Sequence, residues 1–146
     1  MPADVINIDY LLSLNFLGPL YRASDGVLAN SGFEPFGIVG LETMAVGGVA
    51  YTGCTGEDYA IPYVNSFVLE TSDPMEIVSH ATHLRNFPEE EIRIRKAAKH
   101  TARQFTWEAT VRNLISKLEN QARAQDILKG RTEPAPLPLF ELDQPL

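Results

Sequence analysis

Apolar and polar positions change their rhythm along the chain. Short runs bounded by glycine and proline fill the first half, and a three-to-four residue recurrence fills the second. Asp4 to Asp9 (DVINID) alternates apolar with polar residues, the spacing of a short strand. Gly18-Pro19 marks the start of a short helix, because proline is tolerated at a first helical position. Leu20, Tyr21 and Ala23 supply its packing atoms. Asp25 to Asn30 (DGVLAN) reads as a buried strand. From Ile38 the pattern is helical, with Ile38, Leu41 and Ala45 on one side and Met44 beside them, until Gly47-Gly48 stops it. Val49 to Thr52 (VAYT) and Ser66 to Glu70 (SFVLE) are further strands, separated by a loop that includes GCTGED.

The second half predicts helices. Asp73-Pro74-Met75-Glu76 offers a cap, a first-turn proline and an acid placed to return a bond to the cap. Ile77, Val78, Ala81 and Leu84 form that helix's buried face. The next helix starts at Pro88 with Glu89, Glu90 and Glu91 at its positive end, and Lys96, Lys99 and Arg103 follow. Its packed side runs through Ile94, Ala97, Ala98, Thr101, Ala102 and Phe105. A third amphipathic helix follows Thr106, through Trp107, Val111, Leu114, Ile115, Leu118 and Ala122, with Trp107 expected in the core. Prolines 134, 136, 138 and 145 argue against a regular element near the end. Residues 1–129 are thus expected to form one α/β domain, and 130–146 a Pro-rich extended tail. Strands about twenty residues apart with helices between them imply parallel pairing through right-handed crossovers. The class is α/β, a small Rossmann-like sheet of about four strands with helices packed on it.

Composition narrows the functions. A net charge of −7 opposes a polyanionic partner, so neither nucleic acid nor an anionic membrane is expected as the main partner, although it leaves room for a local basic patch. Cys54 is the one cysteine, which excludes an intramolecular disulfide and fits a reducing compartment. No apolar run approaches the ~20 residues that span a bilayer, and the N-terminus lacks the features of a secretory signal. A cytoplasmic location is the expectation.

The stretch FEPFGIVGLE, Phe33 to Glu42, carries the candidate chemistry. In open parallel sheets, ligands bind beyond the carboxyl ends of the strands. Here a strand ends at Asn30 and a helix begins near Ile38. The unpaired amides at that helix start, about Gly37 to Gly40, favour an anion, and Gly37 has no side chain to intrude. Glu34 and Glu42 would repel a phosphate if all three crowded one spot. The conflict disappears if the amides hold a diphosphate while each acid accepts hydrogen bonds from hydroxyls at one end of the ligand. Hydroxyls, phosphates and hydroxyls in that order describe a nucleotide sugar. The plain alternative is that the acids only complement the helix dipole, worth ~0.3–1 kcal/mol each.

The ordered set LYRASDGVLANSGFEPFGIVGLETMAVGG, a glycine loop and a later QFTWE resembles the C-terminal domain of group 1 (family 4) retaining glycosyltransferases of the GT-B fold. The similarity covers most of Val5 to Leu118. It implies a donor site for a nucleoside-diphosphate sugar, with an unknown acceptor. Glu34 would face the hydroxyls of the transferred sugar as a catalytic helper. Phe36, Gly37, Ile38 and Val39 would line the sugar and diphosphate through backbone amides, and Glu42 would hold the ribose. Such enzymes use no cofactor and usually no metal, and no D-x-D motif is present. Two departures stand out. The small-residue segment runs GGVA where the family places a proline, and Arg22 is the sole arginine before Arg85, with no lysine before Lys96. Leaving diphosphates normally rely on such charges, so this chain alone is expected to be a poor catalyst. The alternative is a non-catalytic α/β interaction module, pairing with a separately encoded N-terminal half or with another copy. A carboxylate-pair hydrolase ranks third, since the spacing fixes no carboxylate separation.

Other residues read as structural. Arg93, Arg95, Lys96, Lys99, His100 and Arg103 are expected on a solvated outer face. His80 and His83 are expected to be exposed polar residues without an acid partner. Cys54 lacks an identifiable base and reads as a small filler. Glu57 and Asp58 suit a turn.

Overall fold

A computed structural model of the protein describes residues 4–32, 34–125 and 127. Phe33 and the Pro-rich segment 130–146 lie outside them. The chain divides into two compact units, Met1–Phe105 and Thr106–Leu146.

In the first unit, β1 (Val27–Leu28), β2 (Ala50–Thr52) and β3 (Phe67–Val68) form a parallel sheet in that order. Val27 lies opposite Ala50, and Tyr51 opposite Phe67. Helix α1 (Leu14–Ala23) precedes β1, α2 (Ile38–Ala45) crosses from β1 to β2, and α3 (Pro74–Asn86) and α4 (Pro88–Ala102) follow β3. The α/β class and parallel pairing are as the sequence implied, with three strands rather than about four. Asp4 to Asp9 does not form the fourth. Those residues are irregular and exposed, because alternation yields a strand only where a sheet edge receives it.

Helix α1 begins a turn earlier than its proline suggested. The carbonyl of Ser13 accepts from the amides of Phe16 and Leu17, both at 3.0 Å, so Pro19 sits inside the helix. Having no N–H, Pro19 leaves the Asn15 carbonyl without its usual helical donor.

Two apolar clusters hold the unit. One joins Met44, Ala50, Tyr59, Ala98 and Ala102, with Phe36 and Phe105 packed on it. The other joins Val49, Tyr51, Phe67, Leu84 and Ile94. Strand β2, central in the sheet, is buried throughout, whereas Leu28 on the edge strand β1 is 59% exposed, so of the buried strand expected over DGVLAN only Ala29 is fully buried. Helix α2 buries Gly40, Thr43 and Met44 rather than Ile38 and Ala45, which are exposed. Thr43 can face inward because its hydroxyl donates to the Val39 carbonyl (2.8 Å) within the same helix.

The α3 cap is built differently from the expected box. Asp73 Oδ1 accepts from the Met75 amide (2.9 Å), but Glu76 accepts from the amides of Glu70 and Thr71 and from the Thr71 hydroxyl. Those bonds hold its carboxyl below the ordinary glutamate range. Of the expected α3 face, Leu84 is buried and Ile77 half-buried, while Val78 and Ala81 are exposed. Helix α4 buries Ile94, Ala98 and Ala102 as spaced. Arg95 departs from the solvated stripe assigned to it. Its Nε donates to Glu91 (2.7 Å), Nη1 to the Gly47 carbonyl (2.9 Å) and Nη2 to the Ser24 carbonyl (3.1 Å), tying the segments that follow α1 and α2 to α4.

The described part of the second unit is chiefly α5 (Trp107–Ala124), capped by the Thr106 hydroxyl, which accepts from the Ala109 amide (3.2 Å). Within α5, Trp107 is 85% exposed, and Val111, Leu114 and Leu118 are exposed along the same apolar stripe. Among the described residues, no helix is long and apolar enough to cross a membrane.

Candidate functional site

The candidate site forms where β1 and β2 end. Beyond β2, the Thr55 hydroxyl donates to the Ala29 carbonyl (3.1 Å) at the end of β1, and the Tyr59 hydroxyl donates to the Gly37 carbonyl at the mouth of α2. The start of α2 is therefore fixed at the carboxyl ends of two parallel strands, the usual ligand side of such sheets.

Gly37 is the N-cap of α2 with φ +73° and ψ +59°, in the left-handed region that disfavours a side chain. A Cβ there would lie 2.8 Å from both Cβ and Oγ1 of Thr55. The sequence suggested that this glycine makes room for a ligand. In the fold it also makes room for Thr55 and Tyr59. The Gly40 amide donates back to the Gly37 carbonyl (3.2 Å). Among the described residues, the amides of Ile38 and Val39 have no partner, which leaves them as donors at the positive end of the helix.

The side chains of the expected site residues go different ways. Phe36 turns into the core, edge-on to Tyr59 with ring centroids 5.4 Å apart and tilted against Phe105 at 6.0 Å. Ile38 is 54% exposed and Val39 is half-buried. Glu34 is half-buried in the turn before α2, and its charge reaches the Tyr59 phenol. Burial is the main reason that this phenol is held above its ordinary 10.0; the Leu41 amide opposes the shift and Glu34 adds to it. Glu42, one turn into α2, lines a largely apolar groove of about 210 Å³ between α1 and α2, with Leu14, Leu17, Tyr21 and Val46. The Tyr21 phenol is raised there, first by burial and then by the Glu42 charge. Glu42 thus reaches this groove, and Glu34 is not among its lining residues.

Residues outside the motif matter more than their sequence suggested. Tyr59 and Thr55 position Gly37, whereas the neighbouring Glu57 and Asp58 are exposed. Only the aromatic residue in an otherwise small, polar loop could have pointed to Tyr59. His80 is not the exposed residue expected: it stacks on Phe67 at 4.6 Å and packs edge-on to Tyr63 at 5.6 Å. His83 is exposed, but its Nε2 lies 2.9 Å from Glu90, an acid partner that spacing did not reveal. Cys54 is exposed. Among the described residues, no group of three or more potential ligands could hold a metal ion.

No protein-family profile matches the chain. The D-inositol 3-phosphate glycosyltransferase of Thermomonospora curvata is 31% identical over 115 residues, which cover 77% of this chain and 27% of that protein. The chain therefore matches about a quarter of that relative's length. The C-terminal domain of a glycosyl transferase group 1 family protein (LpcC) from Francisella tularensis superposes with a TM-score of 0.59 at 21% identity, covering 66% of this chain and 51% of that one. Sucrose-phosphate synthase from Thermosynechococcus elongatus gives 0.62 at 23% identity, covering 75% and 28%. Anabaena HepE, solved in complex with UDP-glucose, gives 0.61 at 22%, covering 72% and 30%. In sequence the chain is similar to a glycosyltransferase, and its fold is that of the C-terminal domain of group 1, GT-B glycosyltransferases, a part of which it matches.

Proposed function

We propose that the chain forms the donor-binding part of a retaining glycosyltransferase that passes a sugar from a nucleoside diphosphate to an acceptor. The observation that carries this reading is the pair of unpartnered amides, Ile38 and Val39, at a helix mouth on the carboxyl side of a parallel sheet. A diphosphate accepts hydrogen bonds from these amides and gains from the helix dipole. One turn along, about 6 Å of helix rise from Ile38, Glu42 accepts from the ribose hydroxyls, and the apolar walls of its groove suit the flat face of a base. Glu34, in the turn ahead of the helix, faces the transferred sugar and assists departure of the diphosphate. Complexes of Anabaena HepE with UDP-glucose and with UDP support the choice of ligand class.

Four cations, Arg22, Arg95, Lys96 and Lys99, line a cavity beside Gly47 at the other end of α2, so none of these serves the leaving diphosphate. The proposed role is accordingly donor binding, with turnover requiring cations supplied from outside these elements.

Thermal denaturation with UDP and UDP-glucose tests the proposal. Ligand at about a hundredfold its Kd should add about 2.7 kcal/mol of stability, and Glu42→Gln should remove most of that gain. No stabilisation by any nucleoside diphosphate, or a full effect in Glu42→Gln, would refute the assignment.

A further inference from the structure

The geometry points to a second, phosphate-binding site at the opposite end of α2 from the donor site, in the cavity walled by Arg22, Lys96 and Lys99. The cavity holds about 340 Å³ and lies where α1 and α2 end against α4. An eight-residue helix is about 12 Å long, so this cavity and the mouth of α2 are separate places.

Its lining is unusual for this chain. Acids outnumber bases 19 to 12 overall, yet four bases and no acid line this cavity. Ile92, Lys96 and Lys99 recur at i, i+4 and i+7, which places them on one side of α4. Arg22 comes from the last turn of α1. Arg95 is already committed to Glu91 and to two carbonyls, and these bonds hold its guanidinium still. Arg22, Lys96 and Lys99 make no side-chain hydrogen bond or ion pair among the described residues, which leaves three cations free to turn toward a ligand.

The simpler account is that these cations only answer the negative ends of α1 and α2. Each helix end is worth about half a negative charge. Glu91 pairs with Arg95, and Asp25 acts on the same Tyr51 ring as both. Of the four positive charges, only Arg95 is bonded to any of these groups. Arg95 alone caps the carbonyls of Ser24 and Gly47, so the lysines and Arg22 are not needed for that task. Two point charges a turn apart and one guanidinium fork suit the three oxygens of a phosphate group. Val46 and Ile92 give the cavity an apolar wall against which the carbon portion of a phosphate ester can rest. No aromatic side chain is present to stack a base. The chemistry is therefore that of a phosphomonoester, carried by a free metabolite or by a lipid headgroup.

The test is an amide chemical-shift titration of the full chain with inorganic phosphate and with phenyl phosphate, in parallel with sedimentation on phosphatidylcholine vesicles with and without phosphatidic acid. Saturable shifts are expected at Gly47, Lys96 and Lys99, separable from any at Ile38 to Gly40. Lys96→Ala/Lys99→Ala should raise the Kd by about tenfold or more. Both positions are exposed helix sites where alanine is well tolerated, and an unchanged Tm would establish that the variant is folded. Sedimentation only with phosphatidic acid, lost in the double variant, would assign the lipid source. Binding of the soluble phosphates without sedimentation would assign a free ester. Shifts confined to the mouth of α2, or an unchanged Kd in the double variant, would overturn the site.

Discussion

Replacing Gly37 by alanine separates two reasons for glycine that normally act together. At φ +73°, an L-residue loses about 1–2 kcal/mol relative to glycine. Its new Cβ would also meet Thr55 at 2.8 Å, and overpacking of that kind adds about 1–3 kcal/mol. Together, Gly37→Ala should cost about 2–5 kcal/mol. Gly47 is the matched control, with φ +79° and nothing within 4 Å of its added Cβ. Gly47→Ala should therefore lose only the first contribution, about 1–2 kcal/mol. Urea denaturation with a shared slope reads the difference as a displacement of the midpoint. In a scan, each kcal/mol lowers the Tm by about 4–8 °C for a unit of this size. Equal destabilisation by the two substitutions would show that Thr55 and Tyr59 yield freely and that the mouth of α2 is not held as described.

Two further outcomes are expected. The Tyr51 and Tyr59 phenols are raised above 10.0, chiefly by burial, so the unfolded chain releases their protons first. Their contribution is complete below pH 10 and disappears as pH climbs through the folded values; Tyr59→Phe should flatten this alkaline loss of Tm, and an unaltered profile would refute it. Arg95→Met should cost roughly 2–4 kcal/mol, because it strands two carbonyls and the Glu91 carboxylate together; a loss below about 0.5 kcal/mol in chemical denaturation would place Arg95 among ordinary surface residues.

The helices of the second half were readable because caps and spacing are local. Asp73, Pro74 and Pro88 sit where the sequence placed them, and Ile94, Ala98 and Ala102 face inward as their period requires. What local pattern could not supply was the partner of each face. Asp4 to Asp9 alternates like a strand but pairs with no strand among the described residues. In the candidate site, the amides of Ile38 and Val39 followed from the glycine before a helical run. The contacts of Tyr59 and Thr55 with Gly37 bridge about twenty residues, and no short pattern encodes them. The stacking of His80 on Phe67 escaped for the same reason.

The grip of Arg95 on the carbonyls of Ser24 and Gly47 has a bearing on how the polypeptide matures at the ribosome. The segments just past two early helices are tied down by a residue that leaves the exit tunnel some fifty to seventy positions later, at separations of 48 and 71. Until then, β1 and β2 can pair, but the segments that follow α1 and α2 lack their tie to α4. A nascent chain arrested before residue 95 should hence be digested by protease near Ser24 and Gly47, and one arrested well beyond it should resist.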